Sequence, residues 1–546
     1  MNIILLNTTA SADADGEKRY EMDILAKEYE NAGQPGISVT GVRVRSPHDA
    51  TGEVALPDYL PPVGRIVSFS AAALDEDRYL EPGAIEASGL LACSVTYAGD
   101  DGTICSYPVN CDFSKKIPIP GGTDGKNVSD FFVRTDVEAP VCRAVAPRKL
   151  SFSAKLSTAV FSTGKRPSDP AVSAEGGDGG DPTPAELMAV EYRRVPVSSS
   201  SVRFLRASGE TTGEISVPGG AGDGAAEPKI LNCSGVSYVT GVSAEHGSLV
   251  VRGETVVSCL ARTADGEIAT LSAKTPFEER LGSGADGEDG AAFASCASVS
   301  VSEAGGGVFV CTAEHEIDGE LWSTTEEKTA VDAYSTACGS ETVPSEAEPI
   351  RFLGGVAGTF TATGTGRAPS GDGKRVLFAS GRVGGGSAEA SGDGRLVISA
   401  QCTVTAAIAS EGKTEPCDVS FPVRFEAPLR SAPPAGSEPA IRYEMNVISA
   451  EARLDGDRLN VNAEISVSAA VTSSEKIKTA GTVRLLRDVP VERSPSRVRI
   501  FFPDGQSSLW DVRRSVNAEP EKVTVVRGGD GDGPLPRGAA VIISGV

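Results

Sequence analysis

Aromatic side chains are scarce in this chain. Tyr, Phe and Trp make up 5% of 546 residues, with only two tryptophans, so stacking platforms for sugars or bases are few. Histidine is rarer still: His48, His246 and His315 lie far apart and join no Cys or acidic residue at ligand spacing, so no metal site is expected. His315, on an otherwise apolar strand face, reads as a core histidine. Basic residues are outnumbered, 51 against 74 acidic, for a net charge of −23. That field repels nucleic acid and anionic lipid, and neither is an expected partner. No apolar run approaches the roughly 18 residues of a membrane-crossing helix. The opening Met1-Asn-Ile-Ile-Leu-Leu-Asn has no basic segment and no cleavage-like site, so it does not read as a signal peptide.

None of the eleven cysteines forms a C-x-x-C pair, and most fall within alternating strand pattern. They read as small core residues kept reduced in a cytoplasm; a disulfide framework is the minor alternative. Signatures of chemistry are missing too. Gly364-Thr-Gly-Arg-Ala-Pro-Ser-Gly lacks the Lys-Ser/Thr ending of a phosphate loop, and no G-x-S-x-G elbow occurs. The acidic glycine tracts at 176–181 and 528–533 do not recur in tandem, as calcium-binding nonapeptides do. No catalytic residue, metal or cofactor is expected, and the chain does not read as an enzyme.

What is present is a pattern repeated three times. Gly102-Thr-Ile-Cys-Ser-Tyr leads to Phe113, Gly266-Glu-Ile-Ala-Thr-Leu to Phe277, and Gly412-Lys-Thr-Glu-Pro-Cys to Phe425. Each Gly follows an acidic residue, a hairpin-turn signal between apolar alternations. Ala154, Ala313 and Ala463 then follow the turn glycines at 52, 47 and 51 residues. Around them Leu150, Phe152, Ala154 and Leu156 alternate with polar residues, as do Phe309 to Ile317 and Leu459 to Val467, the mark of half-buried strands. Long helical periodicity is missing.

These signals predict a mainly β chain of three tandem antiparallel, sandwich-like modules, at 51–163, 186–336 and 345–488, read as an array. A leader (1–50) is expected to hold a short helix over 18–32. Residues 164–185 read as a flexible Gly/Pro/Asp linker, and 219–228 as a soft insert. The last stretch, 497–546, is expected to fold as β-α-α-β. Ser508 caps the helix from Leu509, and Pro520 opens a second over 519–526.

Leu56-Pro-Asp-Tyr-Leu-Pro-Pro-Val-Gly-Arg-Ile-Val-Ser, the repeated turn-to-Phe segment and the βααβ tail together resemble the SPOCS-domain (SipL-like) proteins. These are spore-envelope morphogenesis proteins of endospore-forming Firmicutes, with tandem SPOCS modules before a C-terminal LysM domain. The resemblance runs from about Leu56 to Val546. In the tail, Ser508-Leu509-Trp510-Asp511-Val512 sits where LysM domains carry their Leu-Trp-Asp-Ile step, and Leu535-Pro-Arg-Gly-Ala-Ala-Val-Ile-Ile is similar to their closing strand. There are two departures. An extra residue lies between Gly505 and Trp510, and Arg527-Gly-Gly-Asp replaces the Asn after the second helix. Both touch loops that line the glycan groove in sugar-binding LysM domains.

The resemblance implies a non-enzymatic adaptor of spore coat and cortex assembly, in the mother-cell cytoplasm at the forespore surface. Its tail would dock on a SpoIVA-like, ATP-hydrolysing protein of the coat basement layer. Peptidoglycan, bound in the tail's groove, is the alternative partner. The residues expected to carry the docking are Gln506, Ser508, Leu509, Trp510, Asp511, Arg513 and Arg514. Trp510, with Leu509 and Val512, has a second reading as a packing anchor inside the tail.

Overall fold

The computed structural model describes residues 36–544, apart from 82, 120–129, 177–179, 218–227, 283–286, 411–412, 492–497, 527–532 and 538. It is mainly β, 79% strand against 3% helix. Six strands come first: β1 (Gly36–Ala55), β2 (Val63–Glu81), β3 (Ala84–Gly99), β4 (Ile104–Pro118), β5 (Asp130–Ala146) and β6 (Lys149–Pro167). They form two antiparallel sheets, ordered β1-β6-β5 and β2-β3-β4. A short β7 (Ala171–Glu175) and a one-turn helix α1 (Pro184–Met188) follow.

The same order then recurs twice. β8 (Val190–Ser216), β9 (Lys229–Glu245), β10 (Ser248–Arg262), β11 (Ile268–Leu281), β12 (Asp289–Gly305) and β13 (Val308–Ser335) give β8-β13-β12 and β9-β10-β11. After β14 (Cys338–Ala347) come β15 (Ile350–Arg367), β16 (Arg375–Ala390), β17 (Arg395–Ser410), β18 (Lys413–Pro428), β19 (Glu438–Asp455) and β20 (Arg458–Ser474). These form β15-β20-β19 and β16-β17-β18. In each six-strand unit the two sheets face one another across an apolar core, as Cys402, Val404 and Phe421 meet Leu459, Val461 and Ala463.

Local chemistry explains the repeated signals. Gly102 and Gly266 hold φ of +78° and +81°, a conformation that costs glycine little; Gly412 lies outside the described residues. In the first two units the repeated Phe has a specific seat, whereas Phe425 of the third opposes Ile398. Phe113 pairs with Gly89 and Phe277 with Gly253 across the strands. A Cβ on Gly253 would stand 2.2 Å from the Phe277 ring and 2.4 Å from the Tyr238 carbonyl oxygen. The ring covers a strand glycine, which supplies packing that the glycine itself lacks.

The sixth strand of each unit has two characters. Leu150, Phe152, Ala154 and Leu156 of β6 are buried while Ser153 and Lys155 are exposed, but Val160 to Thr163 are buried on both faces. β20 behaves alike, with Val467 to Thr472 wholly buried. The reason is that these second halves run into a junction where the three units meet. One shared core contains Phe132 and Phe161 of the first unit, Phe293 and Trp322 of the second, and Ile350 and Ala470 of the third. Another gathers Val67, Ala98 and Ile104 with Leu260, Phe378 and Ala407. Each pair of units therefore touches, and the arrangement is closed.

Three expectations change. Residues 36–50 of the supposed leader are part of β1, whose register with β6 is continuous from Ala55 to Arg43; the helix expected over 18–32 lies outside the described residues, as does most of the 219–228 insert. The supposed linker is strand at both 165–167 and 171–175. β7 pairs in parallel with β21 (Ile477–Pro490), and β14 pairs antiparallel with β21's other edge. The strands that follow the three units thus share one small mixed sheet.

The tail comprises β22 (Val498–Phe501), α2 (Leu509–Ser515), a 3-10 turn at Pro520–Lys522, β23 (Val523–Val526) and β24 (Ala540–Ser544), with sheet order β22-β24-β23. The expected second helix is absent from the described residues. Pro520 starts one turn only, and the β-branched Val-Thr-Val-Val that follows pairs with β24 instead.

Candidate functional site

Beyond the second unit, the ends of β8 and β13 project as a two-stranded ribbon. Register assigns its faces: Tyr192 opposes Ala333, and Glu191 opposes Tyr334. Val190, Tyr192 and Ala333 pack on Val483 and Leu485 of the mixed sheet. The opposite face, with Asp332, Tyr334 and Glu191, receives the tail.

α2 builds the tail's contribution. Ser508 and Asp511 form a capping box, each side chain accepting from the other's backbone N–H, worth about 1 kcal/mol to so short a helix. The Ser508 hydroxyl, donating to Asp511 Oδ2 at 2.7 Å, and then the Ser508 backbone N–H hold the Asp511 carboxyl below the usual carboxylate range. Leu509 and Val512 turn inward to Val541 and Ile543. Trp510 turns outward yet is only 7% exposed. Its Nε1–H donates to Asp332 Oδ2 at 3.0 Å, and its ring meets Tyr334 edge-on at 5.1 Å between centroids. Arg514 Nη1 lies 2.6 Å from the same Asp332 oxygen, and Arg513 Nη2 lies 3.5 Å from Glu191. Tyr334 Oη donates to the Ala518 carbonyl at 2.7 Å.

The expected site residues therefore divide. Trp510, Arg513 and Arg514 clasp the chain's own second unit. Ser508 and Asp511 shape the helix end, Leu509 packs the tail core, and Gln506 stands exposed with its N–H donating to Asp504. Trp510 is neither an open contact residue nor an anchor inside the tail; it is buried between the tail and the body.

Sequence reasoning missed a different surface. On the tail sheet, Val541 and Ile543 face inward, so Val498, Ile500 and Val526 face outward. Ile500 is 54% exposed and Phe502, next along the same alternation, 77%. Four of the eleven exposed large apolar side chains among the described residues, Val498, Ile500, Phe502 and Val526, belong to this domain of about fifty residues, so they form a patch rather than scatter. The available signal was apolar residues on both faces of so short a strand.

No protein-family model, characterised protein or solved structure matches the chain. Among the described residues no His/Cys/Asp/Glu group is arranged to hold a metal, and no helix is long and apolar enough to cross a membrane.

The junction that carries the tail's platform is tied by charge as well as by apolar packing. Glu320 of β13 is 0% exposed. It accepts Arg442 Nε at 3.0 Å and Nη2 at 2.6 Å, and Trp322 Nε1 at 3.0 Å. The Arg442 guanidinium stands 3.9 Å from the centre of the Phe161 ring, and Trp322 stacks on Phe352 at 4.8 Å. One ion pair thus spans the second and third units beneath a ring of the first. Arg78 with Asp318 joins the first to the second at 3.1 Å, and Arg134 with Glu444 joins the first to the third at 2.5 Å. The outer pairs, Arg65 with Glu415 and Arg375 with Glu267, are half exposed and contribute at most about 1 kcal/mol each. Buried aromatics at about 1.5–3 kcal/mol apiece therefore dominate the junction.

Proposed function

We propose that this protein is a structural adaptor of spore-envelope assembly, with its three six-strand units as the tandem SPOCS-like modules and its tail as the docking element. The reading rests on the resemblance of Leu56-Pro-Asp-Tyr-Leu-Pro and the repeated turn-to-Phe segment to that family. The observation that supports an adaptor is the tail itself: one face is committed to Asp332 and Tyr334, while the other presents Val498, Ile500, Phe502 and Val526 to solvent. A domain mounted by one side and apolar on the other suits capture of a second protein. The partner in this reading is a SpoIVA-like coat basement-layer ATPase, and it meets the outer sheet face rather than α2. The tail's missing second helix counts against a LysM-type glycan groove.

The test is a pull-down of the purified ATPase by the full-length protein. Binding is expected, and Ile500→Asp or Phe502→Asp weakens it at least tenfold while circular dichroism is unchanged. Binding undiminished in both variants removes the outer face from the account. Sedimentation of the protein with purified peptidoglycan, without binding to the ATPase, replaces this reading with the glycan one.

A further inference from the structure

Three thiols converge in the core of the second unit. Cys233 on β9 and Cys259 on β10 stand directly opposite one another in the strand register, and their sulfurs are 2.6 Å apart. Cys311, on β13 of the facing sheet, places its sulfur 4.0 Å from that of Cys259. Cys259 and Cys311 are buried, whereas Cys233 retains surface. Opposed residues of antiparallel strands have Cα atoms about 4.5–5.5 Å apart, inside the roughly 4.4–6.8 Å that a disulfide spans. In the first unit Cys93, Cys111 and Cys142 share one core, and in the third Cys402 and Cys417 share another.

We propose that Cys233 and Cys259 are an oxidative modification site, converted by a peroxide into a disulfide across β9 and β10. Cys233, the less buried member, reacts first. Its deprotonated sulfur displaces hydroxide from the peroxide O–O bond, leaving a sulfenic acid, and the hydroxide takes up the released proton as water. The Cys259 sulfur then gives up its proton and attacks that sulfur; the S–S bond forms, the S–O bond breaks, and a second water leaves. The pair loses two electrons and the peroxide gains them.

Position decides the partner. Cys259 has Cys233 beside it on the adjacent strand, whereas Cys311 reaches it only across the sheet-to-sheet gap. Burial pushes the Cys311 thiol up to about 12, so it is no better poised to attack than Cys259, and the sulfur–sulfur distances decide between them. The hydrogen bond to Cys233, and then burial, raise the Cys259 thiol as well. Closure by Cys259 is therefore the slow step and accelerates as pH rises.

The test treats the intact, folded protein with hydrogen peroxide, blocks remaining thiols, and maps the peptides by mass spectrometry. The expected result is a loss of two of the eleven thiols, with one linked peptide pair containing Cys233 and Cys259 and lighter by about 2 Da. Cys233→Ser, the less buried change, abolishes the link without disturbing the fold. Cys311→Ser leaves it in place. Eleven thiols still titrating after treatment, or a link from Cys259 to Cys311 in the wild-type protein, would overturn the assignment.

Discussion

Replacing Arg442 by Met isolates the charge that the junction buries most deeply. Arg442 supplies two of the three hydrogen bonds that Glu320 accepts; the third comes from Trp322. Methionine fills much of the same volume and keeps a contact with Phe161, so the change is chiefly electrostatic. It leaves an unpaired carboxylate at a site with no exposure, and removing one partner of a buried pair costs about 3–5 kcal/mol. Adding Glu320→Gln removes the orphaned charge while preserving an acceptor for Trp322. What remains is an under-satisfied amide, at about 1–3 kcal/mol. Urea denaturation followed by circular dichroism and tryptophan fluorescence reads both single variants and the double. The double variant is expected to be more stable than Arg442→Met alone. A single variant within about 1 kcal/mol of wild type, or a double variant as costly as the two singles summed, would refute the argument.

His315 stacks on Phe277 at 4.2 Å, and burial holds its imidazole below the ordinary value of 6.5, with Glu279 at 3.5 Å opposing this in part. The unfolded chain then protonates first, so stability present above about pH 6.5 is lost as pH falls through the lower folded value. His315→Leu should flatten the dependence of the urea midpoint on pH between about 7 and 5; an unchanged slope contradicts this. Gly253→Ala should destabilise by about 1–3 kcal/mol by forcing the Phe277 ring aside. Gly241→Ala, where an added Cβ meets nothing within 4 Å, is the control and should change the thermal midpoint little.

Strands were legible wherever only one face is buried. Leu150 to Leu156, Phe309 to Ile317 and Leu459 to Val467 alternate in sequence because they alternate in burial. The second halves of the same strands were not. Ser157-Thr-Ala-Val-Phe-Ser-Thr is buried nearly throughout, and small polar residues give no periodic signal there. At 519–526 two local signals compete: Pro-Glu favours a helix start, but Val-Thr-Val-Val favours a strand, and pairing with β24 decides. The closed arrangement and the tail's mounting had no local trace. Trp510 and Asp332 are 178 residues apart, and Glu320 and Arg442 are 122 apart. The identity of Trp510 as a special residue was readable; the surface it meets was not.

Small-angle X-ray scattering on the full chain tests the closed packing of the three units most directly. A compact chain of 546 residues has a radius of gyration of about 24–27 Å, whereas three units of this size strung in line give about 35 Å. The smaller value is expected, unchanged by dilution or by moderate salt, because apolar cores rather than surface ion pairs hold the junction. A radius near the larger value would contradict it.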